Sequence, residues 1–209
     1  MQRIVYRWTR NLHLYCGLFV SPFVLLFAAS VFLLNHAHPP APQATPPPAP
    51  TVRAVQVPPG IEKAEGTDRL RLVSEALSQV GVAGEIQFVR FISDERRIVV
   101  PVVRPGVETT VDLNLAEGKA EITERRTGLW GAVSYLHRSP GPHNASIRGN
   151  WFWTRVWRWL ADGTVYLTLF LSLSGIYLWV ALRAERRVGL ALIAAGALSF
   201  GGIVYAVVG

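Results

Sequence analysis

The sequence of 209 residues has little sulfur, with one methionine and one cysteine, Cys16. A single thiol cannot form an intramolecular disulfide, and it cannot supply a cluster of thiolate ligands. The chain also lacks a P-loop, a glycine-rich nucleotide-binding motif, a zinc-protease histidine pair and a nucleophile elbow. Three serines near His137 lack an identifiable acidic third partner for hydrolysis, namely Ser134, Ser139 and Ser146. No residue set therefore identifies an enzyme.

Charged residues are scarce in three long apolar runs. The hydrocarbon core of a bilayer, about 30 Å thick, requires roughly 20 mainly apolar residues in a helix. The runs that meet this length are residues 12–34, 161–182 and 188–208. The first exceeds the roughly 7–15 apolar residues of a secretory signal, and no small-residue cleavage site follows it. We therefore expect an uncleaved signal anchor and three transmembrane helices, at residues 11–35, 159–182 and 188–209.

Arginines beside these runs predict the orientation. Short loops rich in arginine remain in the cytoplasm. Such clusters precede the first run and separate the second from the third: Arg3, Arg7 and Arg10, then Arg183, Arg186 and Arg187. We expect residues 1–10 and 183–187 to be cytoplasmic and the C-terminus to be periplasmic, in a bacterial inner membrane. Many of the basic side chains that produce the net charge of +7 then lie beside the membrane helices, where their partner is the lipid bilayer. A nucleic-acid partner is not expected.

The segment between the first two runs changes character twice. Residues 36–57 are dominated by proline and alanine, which favours an extended polyproline linker. Residues 58–126 follow with a helical pattern, for which Thr67 and Asp68 offer a cap and Gly81 a stop. Strand-like runs come next, at residues 86–92, 97–103, 107–115 and 120–124. The fold class expected is an α+β membrane protein whose small periplasmic domain lays one helix on an antiparallel sheet.

Residues 127–158 lead back to the membrane as a short helix, a loop and an interfacial segment rich in tryptophan and arginine. Tryptophan favours the headgroup region because its ring is apolar while its indole N–H needs a partner. Arg158 and Asp162 are four residues apart, so we expect them to pair on one helix face. Small residues offer surfaces for close helix approach, by default within the chain and otherwise against a partner subunit: Gly175, Gly196, Gly201 and Gly202.

Three segments of the chain resemble the PepSY-associated transmembrane family. They are residues 10–18 (RNLHLYCGL), the Leu136-His137 pair, and residues 172–179 (SLSGIYLW), with a PepSY-like unit between the first two. The resemblance implies an inner-membrane protein associated with iron or siderophore uptake and with membrane redox chemistry, and some larger relatives are haem-bearing reductases. This chain departs from those reductases, which have more spans and more PepSY-like units.

Histidine is the residue type here with the best claim to ligate a cofactor, because neutral imidazole binds iron, copper and zinc. The resemblance makes His13 and His137 the candidate ligands of haem b. His36 lies about 34 Å beyond His13 along a helix, so those two cannot share one metal. The remaining two, His38 and His143, fit solvated linker positions as well as a metal site. Our topology places His13 and His137 at opposite membrane faces, so bis-histidine ligation by both requires two haems or a homodimer.

Three functions remain open from the sequence. The leading hypothesis is a non-enzymatic accessory or scaffold protein whose PepSY-like domain binds a membrane or periplasmic partner, within iron uptake or a membrane redox complex. The first alternative is a haem-bearing electron-transfer protein. The second follows from the association of PepSY units with restraint of peptidases, and is a regulator of an extracytoplasmic peptidase.

Overall fold

Three helices are long and apolar enough to cross a membrane in the computed structural model, which describes residues 2–36, 48–138, 147, 149–182 and 185–208. In chain order the elements are α1 (Gln2–His36), β1 (Thr51–Ala54), α2 (Gly66–Gln79), β2 (Glu85–Ile86), β3 (Arg90–Ile92), β4 (Arg97–Arg104), β5 (Val107–Asn114), β6 (Lys119–Arg126), α3 (Gly128–Arg138), α4 (Phe152–Leu182) and α5 (Arg186–Val208). The predicted α+β membrane fold is confirmed.

Chain contacts define two compact units, residues 25–162 and residues 1–24 with 163–209. The first unit contains an antiparallel sheet with the strand order β1-β6-β5-β4-β2, and β3 also pairs with β4. Short turns connect β4 to β5 and β5 to β6, so neighbouring strands in this part of the sheet are also consecutive in sequence. We call residues 48–126 the α+β domain.

The core of the α+β domain lies between α2 and one face of the sheet. Val73, Ala76 and Leu77 are buried on α2 at the spacing that puts side chains on one helix face. Alternate residues of the central strands meet them, because side chains in a strand point to opposite faces in turn. The fully buried strand residues are Ile98, Val100, Val102, Val111, Leu113 and Ala120. Glu65 occupies the N-cap of α2, so the predicted cap residues Thr67 and Asp68 lie inside its first turn.

Two predictions about the strands were wrong. The end of the predicted linker, residues 36–57, forms β1, because Thr51–Ala54 pairs with β6 and becomes the edge strand of the sheet. The predicted strand of residues 86–92 is split into β2 and β3: residues 87–89 oppose only Val100 and Pro101 of β4, which makes a bulge. Proline has no N–H to donate, and bulges are where sheets accommodate it.

The sheet face opposite α2 is polar and joined by ion pairs. Arg97 donates hydrogen bonds to the carboxylates of Asp112 and Glu95, and these bonds raise the pKa of the Arg97 guanidinium above its ordinary value. Arg125 pairs with Glu108 in the same way across neighbouring strands. Except for the half-buried Asp112, these groups are exposed, so solvent screens the pairs and they add little stability.

In the second unit, α1 contacts α4, and a Cβ built at Gly17 would lie 3.7 Å from the Leu171 side chain, an ordinary contact distance. Helix α5 has no buried residue, and nothing lies within 4 Å of a side chain built at Gly196, Gly201 or Gly202 among the residues that the structure describes. Our default prediction that these three glycines pack within the chain was therefore wrong. Gly189 at the start of α5 is different, because a Cβ there would overlap the ring of Trp179.

The helices that lead into and out of the membrane differ from prediction in two details. α4 begins at Phe152, so the predicted interfacial segment of residues 127–158 ends inside that helix. Across the described ranges no ion pair joins Arg158 to Asp162, whose side chain is exposed, so the predicted pairing was wrong. Several residues named above lie outside the described ranges: His38, Ser139, His143, Ser146 and Arg183.

Shortening Leu113, which is 1% exposed, to alanine should destabilise the sheet by about 2–5 kcal/mol, since it removes buried apolar atoms and leaves a cavity. Hydrogen exchange of the β4 and β5 amides in the full-length protein in detergent would measure this. The matched control is Leu129→Ala, because Leu129 is 82% exposed and its loss should change stability by less than about 0.5 kcal/mol. Equal effects of the two substitutions would contradict the assignment of the core.

Candidate functional site

His13 on α1 forms a hydrogen bond with a serine on α4. Its Nδ1 lies 2.8 Å from Oγ of Ser174, which is only 5% exposed. The Ser174 hydroxyl also lies 2.6 Å from the carbonyl oxygen of Phe170, one turn earlier in α4, and 3.2 Å from that of Leu171. Serine hydroxyls inside apolar helices commonly donate to such a carbonyl. His13 and Ser174 fall in the first and last of the three segments that carry the family resemblance.

His137 on α3 has the same kind of partner. Its Nδ1 lies 2.8 Å from Oγ of Ser30 on α1, and that hydroxyl lies 2.7 Å from the carbonyl oxygen of Phe27. The Phe27 ring packs near the His137 imidazole and against the indole of Trp157, with ring centroids 6.5 Å and 5.8 Å away. Trp157 in turn donates its indole N–H to the carbonyl of Leu136, at 3.0 Å. The end of α3 is thus fixed against α1 and the first turns of α4.

These contacts select one tautomer for each neutral histidine. A serine hydroxyl has one hydrogen, and a carbonyl oxygen has none. If Nδ1 of His13 or His137 were an acceptor, one hydroxyl hydrogen would have to satisfy two acceptors. Both contacts are satisfied only when Nδ1–H donates to Oγ of Ser174 or Ser30 and the hydroxyl donates to its helix carbonyl. The lone pair is then on Nε2, which is the form in which a histidine binds a metal or accepts a proton.

The two candidate histidines have separate surroundings. His13 and His137 belong to different units and bond different serines. Within the described ranges there is also no group of three histidine, cysteine, aspartate or glutamate side chains that could hold a metal ion. Each imidazole has Nε2 as the nitrogen that could bind a metal. His36 is exposed and bonds a carbonyl of its own helix.

A second constellation joins the α+β domain to the start of α4, and we call it the Glu85 clasp. Glu85 is 5% exposed, and its two carboxylate oxygens accept the backbone N–H groups of Gly149 and Trp151 at 2.7 and 2.9 Å. Asn150 lies between those residues, and its amide side chain both accepts from the N–H and donates to the carbonyl of Ile86, each at 2.9 Å. The Asn150 side chain therefore continues the hydrogen bonding of β2.

Glycine is required directly before the clasp. A Cβ at Gly84 would lie 2.7 Å from a methyl of Val102 and 2.9 Å from the carbonyl oxygen of Val103, and the φ angle is +153°. No other residue allows the chain to pass so close to β4. Gly84 thus sets the position from which Glu85 reaches the N-terminus of α4, where the partial positive charge of the helix favours a carboxylate.

The sequence predicted the histidines but missed their partners and the clasp. Ser174 lies inside the segment 172–179 that carries the resemblance, so it could have been paired with His13 on that basis. Nothing local marks Ser30 as a partner of His137, because 107 residues separate them. Glu85 could have been noticed from the sequence, because it is a carboxylate at the first position of a strand whose next residue, Ile86, is apolar.

Replacing Glu85 with glutamine should loosen the clasp, because the amide NH₂ cannot accept the second N–H and leaves a buried donor unpaired. An unpaired buried donor costs about 1–3 kcal/mol, so hydrogen exchange at the Gly149 and Trp151 amides should become roughly 5- to 150-fold faster. Glu75→Gln, on the exposed face of α2, is the matched control and should leave these amides unchanged. Unchanged exchange in Glu85→Gln would show that the clasp is not formed.

Comparison with known proteins gives one match. The model of a protein family described as PepSY_TM-like matches residues 7–208, which is nearly the whole chain. No curated protein and no solved structure matches it. The match agrees with the resemblance inferred from residues 10–18, 136–137 and 172–179, and that prediction is confirmed.

Proposed function

We propose that this chain, which belongs to the PepSY_TM-like family, is an accessory protein of the bacterial inner membrane. It is a membrane protein with a PepSY-like domain, and the proposed role of that domain is to bind a protein partner close to the membrane surface. The complexes we propose for it are those of iron or siderophore uptake and of membrane redox chemistry, which the family resemblance implies. Arginines at the N-terminal ends of α1 and α5 support an orientation with a cytoplasmic N-terminus and a periplasmic C-terminus.

The observation that carries this proposal is the Glu85 clasp. A domain on a flexible tether samples many orientations and loses that freedom when it binds, which weakens binding. Here four hydrogen bonds join Glu85 and Ile86 to residues 149–151, immediately before α4. The domain is consequently held at the entrance of a membrane helix, which suits a protein that presents a surface to a partner in the same membrane.

Helix α5 supports a partner within the bilayer. Membrane helices associate through small residues that permit close backbone approach. Gly196, Gly201 and Gly202 provide such a surface, and within the described ranges of this chain nothing covers it. A second protein, or a second copy of this chain as a homodimer, is the proposed occupant.

Isolation of the full-length chain from native membranes with quantitative mass spectrometry tests the accessory role. We expect a specific inner-membrane or periplasmic protein to be recovered with the wild type and with Glu75→Gln. Recovery should fall about tenfold or more with Glu85→Ala, which releases the domain from α4. The released domain must be ordered when it binds, which weakens the binding free energy by about 1.4 kcal/mol or more. If no protein is enriched above the untagged background in any of the three forms, the accessory role is rejected.

The second candidate function is that of a haem-bearing electron carrier, and the Nδ1 hydrogen bonds of His13 and His137 favour it. Each bond leaves Nε2 as the ligand atom and fixes the ring orientation, as outer partners of ligating histidines do. Bound haem would supply reversible one-electron chemistry. The part of the chain itself would be to hold each imidazole by its serine, with Phe27 and Trp157 packed beside the His137 ring.

A visible absorption spectrum of protein purified from haem-replete cells separates the two functions. A carrier should show a Soret band and a reducible α band, and His13→Ala or His137→Ala should remove at least half of the Soret intensity. His36→Ala is the control, because His36 is exposed and bonds only within α1. A featureless spectrum, or bands that survive both substitutions, would reject ligation by these histidines.

A further inference from the structure

A cavity of about 350 Å³ opens on the face of the sheet that α2 covers elsewhere. Helix α2 ends at Gln79, and Gly81 turns the chain away with a φ angle of +75°. One corner of the sheet face is therefore left without a helix over it. Pairing between β4, β5 and β6 places Arg104, Thr109 and Glu124 at this corner, on the same face as the core residue Val111. Arg53 of β1 and the residues after α2 complete the walls.

Thr109 is a buried polar residue whose hydroxyl has no hydrogen-bond partner among the described residues. Its side chain lines the cavity, the residue is only 7% exposed, and in the described part of the chain its hydroxyl makes no hydrogen bond. Buried hydroxyl groups nearly always have a partner, and leaving one unpaired costs about 1–3 kcal/mol. An unpaired hydroxyl that faces a cavity is therefore available to a polar atom of a ligand.

The charges around the cavity define the sign and size of the ligand charge. Two guanidinium groups and one carboxylate line it, those of Arg53, Arg104 and Glu124, which leaves a net charge of one positive unit. Arg53 uses one donor on the carbonyl of Val80 at 2.6 Å, and Arg104 lies 3.5 Å from Glu124. A guanidinium has five N–H donors, so both arginines keep donors for a ligand. Arg126 also lies 3.7 Å from Glu124 but does not line the cavity, so the lining groups themselves suit a monoanion.

Apart from Thr51, the remaining side chains of the walls are apolar. Val80 and Val82 at the end of α2 and Ile122 of β6 line the cavity beside the polar groups. Ligand sites commonly combine such apolar walls with a few polar groups, in volumes of about 300–1,000 Å³. We propose that this cavity binds a single carboxylate on a short apolar stem, with the carboxylate at Thr109 and Arg104 and the stem against Val82 and Ile122. The end of a peptide chain and a small organic acid share this chemistry.

This ligand class deepens the proposed accessory role, on which it rests, because it specifies what the PepSY-like domain recognises. Its test uses the purified full-length chain in detergent and calorimetric titration with two pairs of probes. One pair is N-acetylvaline and its amide, and the other is the acetylated tripeptide alanyl-alanyl-valine as free acid and as amide. We expect the acids to bind with a Kd of about 1 mM or tighter, and the amides at least about tenfold more weakly.

The two acids distinguish the sources of the carboxylate. A tripeptide acid that binds about tenfold or more tightly than N-acetylvaline indicates a peptide end, and similar affinities indicate a small organic acid. The proposal is overturned if acid and amide bind equally, or if neither acid binds with a Kd below about 10 mM.

Variants test the named side chains. Thr109→Val should weaken acid binding about tenfold while leaving the thermal midpoint unchanged or raised, because the hydroxyl it removes has no partner within the described ranges. Arg104→Gln should weaken the acids about tenfold and leave the amides unaffected. Arg71→Gln, on the exposed face of α2, is the matched control and should change the affinity for neither the acids nor the amides. A Thr109→Val protein that is less stable but binds acids normally would show that the hydroxyl is structural.

The outcomes separate this site from the accessory role. If acids fail to bind but the partner is still recovered from membranes and lost with Glu85→Ala, the carboxylate site is rejected and the accessory role stands. If acids bind as expected and no partner is recovered, the accessory role is rejected and the domain is a receptor for the carboxylate alone.

Discussion

The buried carboxylate of Glu85 joins the α+β domain to the start of α4. It reaches residues 64 and 66 positions later in the sequence and satisfies two N–H groups just before α4. The N–H groups at the start of a helix have no partner within the helix, so a carboxylate there removes a deficit that water or lipid would otherwise have to meet. Because Gly84 and β2 fix Glu85 against β4, the sheet and the start of α4 are held by one set of hydrogen bonds.

Periodicity made much of the fold predictable. The apolar runs identified α1, α4 and α5, the helical spacing from Leu70 to Val80 identified α2, and alternation identified β4, β5 and β6. These patterns are local, since each reflects which face of a single element is buried. The strands that were not predicted correctly depend on a neighbouring strand. β1 forms because it pairs with β6. β2 is separated from β3 because Pro101 of β4 cannot donate a hydrogen bond to the ladder.

Only the histidines of the candidate site were predictable from the sequence. His13 and His137 could be selected by residue type and resemblance, whereas Ser174 and Ser30 depend on tertiary contacts across 161 and 107 residues. Arg158 and Asp162 show the opposite error, since correct helical spacing did not produce a pair. Exposed ion pairs gain little in water, and a long arginine side chain loses freedom when it is fixed, so spacing alone is weak evidence for pairing.

The hydrogen bonds of His13 and His137 also give each helix contact a fixed donor order. In each case the imidazole Nδ1–H donates to a serine oxygen, and the serine hydroxyl donates to a carbonyl oxygen of its own helix. Each Nδ1 hydrogen has the serine oxygen as its acceptor, so the ring cannot turn away without leaving a donor unpaired between the helices. The two histidines therefore act as polar links of defined direction, and each link allows its imidazole ring one orientation.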